Sequence, residues 1–469
     1  MRRILLIALL CASVGCTVGP NYKRLSVATP KSFRAPEPLP PGQADSIADL
    51  KWFQVFKDAQ LQALIRMALD RNYDLRDAVA RVEEARAALG ITRSNQFPNF
   101  GAGGAVEINR LSRDGATPLP AQILPSQNRN FGIAALQLLS FEIDIWGKLR
   151  RATEAARANL LSAEETRQAV VTTLVSDVAS AYLSMRELDY ELEISKQTLQ
   201  TRQESLNLTR TREAGGVSTE LDLRQAEQLV YTASEMIPDI QRQIEQTENQ
   251  ISLLLGESPN TVLRGKSLTD QELPPQVPPG LPSALLERRP DIRAAEQDLI
   301  AANAEIGVAR AAYFPTLSLS GALGGASTQL SSLFSGPHST WNLVPQVTQP
   351  IFTAGRLKSN VKFAEAEHER ALIHYEKTIQ VAFTETSDAL IAHQRFRESR
   401  VQQEALEKAL EDRLRLAYMR YRGGVDTQLN ALDADRDLFQ AQLQLARLRL
   451  QEMLSVVQLY KALGGGWQS

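Results

Sequence analysis

The residue whose type and setting carry the clearest chemistry is Cys16, which follows the small residues Ser13-Val14-Gly15. Ahead of it, Arg2 and Arg3 open an apolar run of eleven residues from Ile4 to Val14, too short to cross a bilayer as a helix. A charged start, a short apolar run and small residues at its end describe an export leader, 1–15. A cysteine at the cleavage point is what lipid modification of a new N-terminus requires, with Ser13 departing from the leucine usually found three residues earlier. The alternative is an ordinary leader with an incidental cysteine. Other reactive groups are sparse: His338, His368, His374 and His393 keep no metal-ligand spacing. Arg289-Pro290-Asp291 is ordinary chemistry for a helix start. The glycines between Gly321 and Gly325 lack the Lys-Ser/Thr sequel of a phosphate loop. These residues support no enzyme, cofactor or resident metal.

The elements that hold such residues are unusual. The chain has 469 residues, 43% hydrophobic, with 52 basic against 54 acidic side chains. That balance gives no field for nucleic acid. No run of 18 apolar residues occurs, which excludes a polytopic helical membrane protein and leaves a β-barrel open. Cys11 lies in the leader, so the exported chain holds one cysteine and no internal disulfide. Acyl chains on Cys16 would make a firm tether, and Thr17 beside it, in place of aspartate, points to the outer membrane. Residues 16–50, with six prolines between Pro20 and Pro41, read as an extended arm.

The rest is written twice. At an offset of 208, Gly147-Lys148-Leu149 matches Gly355-Arg356-Leu357, Gly215-Gly216-Val217 matches Gly423-Gly424-Val425, and Leu255-Gly256 matches Leu463-Gly464. Upstream, Phe97-Pro98 matches Phe314-Pro315 at 217. Between Gly147 and Ala214 there is no proline, and Leu174, Val175, Val178, Ala181, Tyr182 and Met185 keep helical steps. The 68 residues predict a helix of roughly 100 Å. A glycine pair then turns the chain and a second helix returns, so each repeat is a long hairpin, 147–255 and 355–463, with tips at 215–217 and 423–425.

Beside the hairpins the period changes to two, predicting strands near 97–109, 130–145, 315–325 and 341–353, the last weakened by Pro345 and Pro350. Four strands in an exported, lipid-anchored chain cannot close a barrel, because open edges leave backbone groups unpaired in lipid. Three chains would supply twelve strands and close one, with the helices forming a tube.

The order and spacing of Cys16-Thr17-Val18-Gly19-Pro20-Asn21-Tyr22, Glu142-Ile143-Asp144-Ile145-Trp146-Gly147-Lys148-Leu149-Arg150-Arg151, Arg288-Arg289-Pro290-Asp291-Ile292-Arg293-Ala294-Ala295-Glu296 and Ile306-Gly307-Val308-Ala309-Arg310 are similar to those of the TolC-like outer-membrane efflux channels. The match is to the lipoprotein branch that serves resistance-nodulation-division pumps. The resemblance implies an α+β membrane protein: a homotrimer whose twelve-stranded barrel crosses the outer membrane and continues as a periplasmic α-helical barrel, with an equatorial mixed region. It divides the mature chain into the lipidated arm 16–50, a first repeat 51–256, an equatorial linker 257–282 and a second repeat 283–469. The implied partners are outer-membrane lipid, a periplasmic adaptor gripping the tips at Gly215, Gly216, Gly423 and Gly424, and an inner-membrane transporter. The implied gate is Leu429 and Asp433, four apart and so on one helix face, where three aspartates would crowd like charges. Asp435 stands where glutamine is usual in such motifs, followed by Arg436. The function expected is efflux of drugs or toxic metabolites; protein secretion, metal-ion efflux and a poreless periplasmic scaffold are the alternatives.

Overall fold

The computed structural model describes residues 17–27, 29–35, 46–110, 128–272 and 278–465. The leader, Cys16 and part of the arm lie outside them. The main helices are α1 (Ala59–Arg71), α2 (Tyr73–Ser94), α3 (Lys148–Ala214), α4 (Glu220–Leu254), α5 (Pro290–Ala311), α6 (Arg356–Arg422) and α7 (Gln428–Ala462). Four strands, β1 (Phe100–Arg110), β2 (Asn128–Ile143), β3 (Thr316–Ser327) and β4 (Ser339–Thr348), form one antiparallel sheet in sequence order. The bounds of α3 and α4 fall on those of α6 and α7 at an offset of 208, and those of α2 on α5 at 217.

The reasons for these bounds are local. Gly147 and Gly355 precede the two 67-residue helices with φ of +78° and +85°, a region closed to most side chains. Each helix ends on a Schellman turn, with Gly216 at φ +73° and Gly424 at +71°. In these turns the Val217 amide reaches Arg212 O at 2.8 Å and the Val425 amide reaches Arg420 O at 3.1 Å. Return helix α4 starts on a capping box in which Thr219 and Asp222 each bond the other's backbone. At α7 the box is missing, and Asp426 instead takes the Thr427 amide and the Asn430 side chain at 2.8 and 2.7 Å.

The described residues group into two compact units. One, built from 82–162, 295–375 and the residues up to 25, contains the sheet. Cross-strand rows show what the sheet is for. Ala102, Leu136, Leu323 and Trp341 lie opposite one another on one face; the next row, Gly101, Gln137, Ala322 and Asn342, lies on the other. The first face is apolar yet uncovered: Trp341 is 75% exposed and Leu323 62%. The second face is small and polar. β1 starts at Phe100 because residues 95–97 make a turn, and β4 stops at Thr348, short of the expected 353, where Pro350 cannot donate. Pro345 sits inside β4 opposite Leu319, tolerated because β4 is an edge strand of the chain. In the same unit the arm is strapped down. The Val18 amide bonds Trp146 O, Asn303 reaches Pro20 O, and Arg151 reaches the Asn21 side chain at 2.6 Å. Trp146 in turn stacks on Phe314 at 4.6 Å and donates its indole N–H to Pro315 O.

The other unit comprises 26–81, 163–294 and 376–469. The apolar stripe of α3 is its core, Tyr182, Val178 and Met185 being fully buried. Asp58 joins α1 to the linker. Burial pushes its pKa up, but hydrogen bonds from Gln271, Tyr182, and the Gln60 and Lys266 amides outweigh that and hold it below the usual range.

Gly324 is required by close strand approach: a Cβ there would stand 2.0 Å from Ala134 O. Gly324→Val is expected to cut the yield of folded, protease-resistant protein several-fold. Gly336→Val, with nothing within 4 Å, should leave it unchanged.

Candidate functional site at the hairpin tips

Gly215, Gly216, Gly423 and Gly424 all lie in the two tip turns, and the space a Cβ would fill at Gly216 and Gly424 is open. Beyond the second tip, Leu429, Asp433 and Arg436 follow each other at steps of four and three on α7, making one stripe in which Leu429 and Arg436 are exposed and Asp433 is half-buried. Leu429 is 48% exposed, and the Asp433 carboxylate is within 3.3 Å of Arg436. Arg436 also approaches Asp437, which pairs with Arg413 of α6 at 2.6 Å.

Asp435 turns the other way. It is buried and takes Arg202 Nε from α3 at 2.6 Å. The same guanidinium donates Nη1 to Leu229 O of α4 and stacks over Phe439 of α7, so one side chain joins three helices. Its Nη2 is buried without a partner. Burial pushes the Asp435 carboxyl up, and Arg202 offsets part of that.

This pair is one rung of a seam. Toward the tip, Gln428 donates to Thr209 at 2.8 Å; away from it, Arg447 donates to Glu191 at 2.9 Å. From rung to rung α3 advances by eleven and seven residues while α7 retreats by twelve and seven. Steps of seven and eleven return an α-helix to nearly the same face, so two antiparallel helices meet along one straight stripe. Ile194, Phe439 and Leu443 fill the apolar interval. Within it, Ser195 is fully buried and its hydroxyl has no partner.

Beside the Glu191 rung lies Glu187, one turn away on α3 and equally buried. Two buried carboxyl groups share the single cation Arg447. Burial first, and then Glu191, pushes Glu187 up to about 8, so it keeps its proton at neutral pH.

Sequence reasoning places the glycines in the turns and Leu429 and Asp433 on one helix face, but it does not find the seam. Its signal was present as Glu187, Glu191, Ser195, Arg202 and Thr209 continuing the buried face of α3. Among the described residues no cluster of three or more His, Cys, Asp or Glu could hold a metal, and no helix is long and apolar enough to cross a membrane.

The chain belongs to the outer membrane efflux protein family, whose sequence profile matches residues 64–257 and 281–465. It is 38% identical over 455 residues to the probable efflux pump outer membrane protein TtgC of Pseudomonas putida, covering 97% of this chain and 93% of that one. It is 35% identical over 459 residues to the cation efflux system protein CusC of Escherichia coli, covering 97% of each. A crystal structure of a membrane protein from Pseudomonas aeruginosa, 35% identical, superposes with a TM-score of 0.87 over 96% of this chain and all of that one.

Asp435→Ala strands a buried guanidinium and should cost about 3–5 kcal/mol, read as a lower thermal midpoint of the helix signal. The double variant Arg202→Met/Asp435→Leu should regain most of it. Glu187 binds a proton in the folded state that it releases in the unfolded state between its ordinary 4.5 and about 8. Stability therefore falls as pH rises through that window, by up to about 1.4 kcal/mol per pH unit. Glu187→Gln should flatten that slope, matching the parent near pH 4.5 and melting higher than it at pH 8.

Proposed function

We propose that three copies of this chain form a closed conduit through the outer membrane, the exit channel of a tripartite efflux system. The observation that carries this is the two-faced sheet with free edges at β1 and β4. Its apolar face is suited to lipid and its small, polar face to a lumen, and three four-stranded sheets close a twelve-stranded barrel without an open edge. The long hairpins then make a periplasmic helical tube. Lipid on Cys16 anchors the assembly beside the strand ends, since Thr17 packs against the site where a Gly147 side chain would be. The tips at Gly215, Gly216, Gly423 and Gly424 receive a periplasmic adaptor, and an inner-membrane resistance-nodulation-division transporter supplies the energy.

Leu429 and Asp433 form the gate. Leu429 is exposed and Asp433 half-buried in the single chain, and threefold symmetry brings three copies of each toward the axis. Arg436 neutralises each Asp433 in part, which softens the repulsion between carboxylates. Cargo consists of small molecules such as drugs or toxic metabolites; the likeness to CusC favours metal cations as a second class.

In planar bilayers the lipidated protein should insert as a trimer, and Leu429→Ala or Asp433→Ala should raise single-channel conductance. Pores with unchanged conductance would remove the gate, and a trimer-free, bilayer-inert protein would remove the channel. Susceptibility of a deletion strain to drugs against metal salts separates the two cargo classes.

A further inference from the structure

Within the sheet-bearing unit a cavity of about 900 Å³ opens between the start of α3, α5 and the start of α6, a volume in the range that takes drug-sized ligands. Its floor is low and apolar, made by Ala301, Val308, Ala309, Ala364 and Ala371. Facing it are Asp298 and Glu305, seven residues apart and so on nearly the same side of α5. Two other charged pairs at its wall are internally matched: Arg370 donates to Glu367 at 2.6 Å and Lys148 to Glu142 at 3.0 Å. Among the described residues Asp298 and Glu305 have no such partner, so each brings an uncompensated carboxyl group to the cavity. Desolvation alone pushes the Glu305 carboxyl above its usual range, with no cation or donor to offset it.

Two further observations place this cavity. Glu296 and Asn303 of α5 bond Tyr22 and Pro20 of the arm, and at about 100° per residue they point nearly opposite to Asp298 and Glu305. In the proposed tube the lipidated arm runs outside, so the cavity opens on the lumen. Nor does the internal repeat duplicate it: at the offset of 217, Asp298 and Glu305 fall on Arg81 and Ala88 of α2. The site occurs once per chain.

We propose that this cavity binds drug-sized organic cations, with an apolar ring body on the alanine floor and a basic nitrogen held by Asp298 and Glu305. The proposal rests on the channel reading and specifies a cargo class for it. Charge-assisted hydrogen bonds to the carboxylates select the cation, and an anion of the same size meets like charge. The open mouth keeps the hold weak enough for release, as a conduit needs.

Ethidium, a flat fluorescent monocation, is titrated into the purified full-length protein in dodecyl maltoside and followed by anisotropy. Binding should saturate at one ethidium per chain. Asp298→Asn/Glu305→Gln should weaken it by about tenfold or more, and Ala309→Trp, which fills the floor, should abolish it, each with the helix signal of the parent. Asp239→Asn, which removes an acid from α4, should leave it unchanged. The anion anilinonaphthalene sulfonate should not compete. Equal ethidium affinity in the parent and the double variant overturns the site, as does displacement by the anion. In planar bilayers ethidium should reduce the current of the parent and spare that of the double variant. A protein that binds ethidium with this variant pattern and makes no pore keeps the site and loses the channel; a pore whose ethidium binding ignores both acids keeps the channel and loses the site.

Discussion

The physical constraint on which everything else depends is that backbone amides and carbonyls cannot be left unpaired in hydrocarbon. A sheet of four strands satisfies its inner ladders and leaves two edges, and its exposed leucines, valines and tryptophan make water an unfavourable solvent for one face. Neither defect can be repaired within one chain. In the proposed trimer assembly would be a folding requirement rather than a later event, and the long helices would gain their meaning from it. A helix of 67 residues has too much surface to bury in one domain, but in a ring every side finds a neighbour.

Two kinds of information in the sequence behave differently. Backbone instructions are legible because they are local. The glycines that enter the positive-φ region end the helices where the sequence places them, and the period-two segments become strands within a few residues of their expected limits. The seam between α3 and α7 was not legible because it is made across more than 200 residues by polar side chains on a buried stripe. Hydrophobic periodicity reads Arg202 or Glu191 as an interruption, whereas each is a buried group whose partner is supplied by another hairpin. The departure at Asp435 was visible, but its direction was not. One position along from an exposed arginine, it turns inward because Arg202 arrives there.

The arm shows the same limit. Its prolines announce an extended strap, yet where it lies is decided by Gly19 meeting Gly307, two residues distant in sequence that lack the atoms to collide. A Cβ on Gly19 would stand 2.5 Å from the Gly307 backbone. The strap holds Thr17 against Gly147 at the start of α3.

The seam also breaks the internal symmetry of the chain. Shifted by 208, its three rungs fall on Ser399 with Asp239, Leu410 with Glu227, and Ala417 with Glu220. An acid facing a leucine, an alanine or a serine makes no ion pair, so these positions cannot rebuild the rungs between one copy and the next. Around a closed tube, stiff joints within each chain would alternate with compliant joints between chains. In the proposed trimer such a wall would behave as three rigid panels on soft hinges, and any dilation at its mouth would be a tilting of whole protomers.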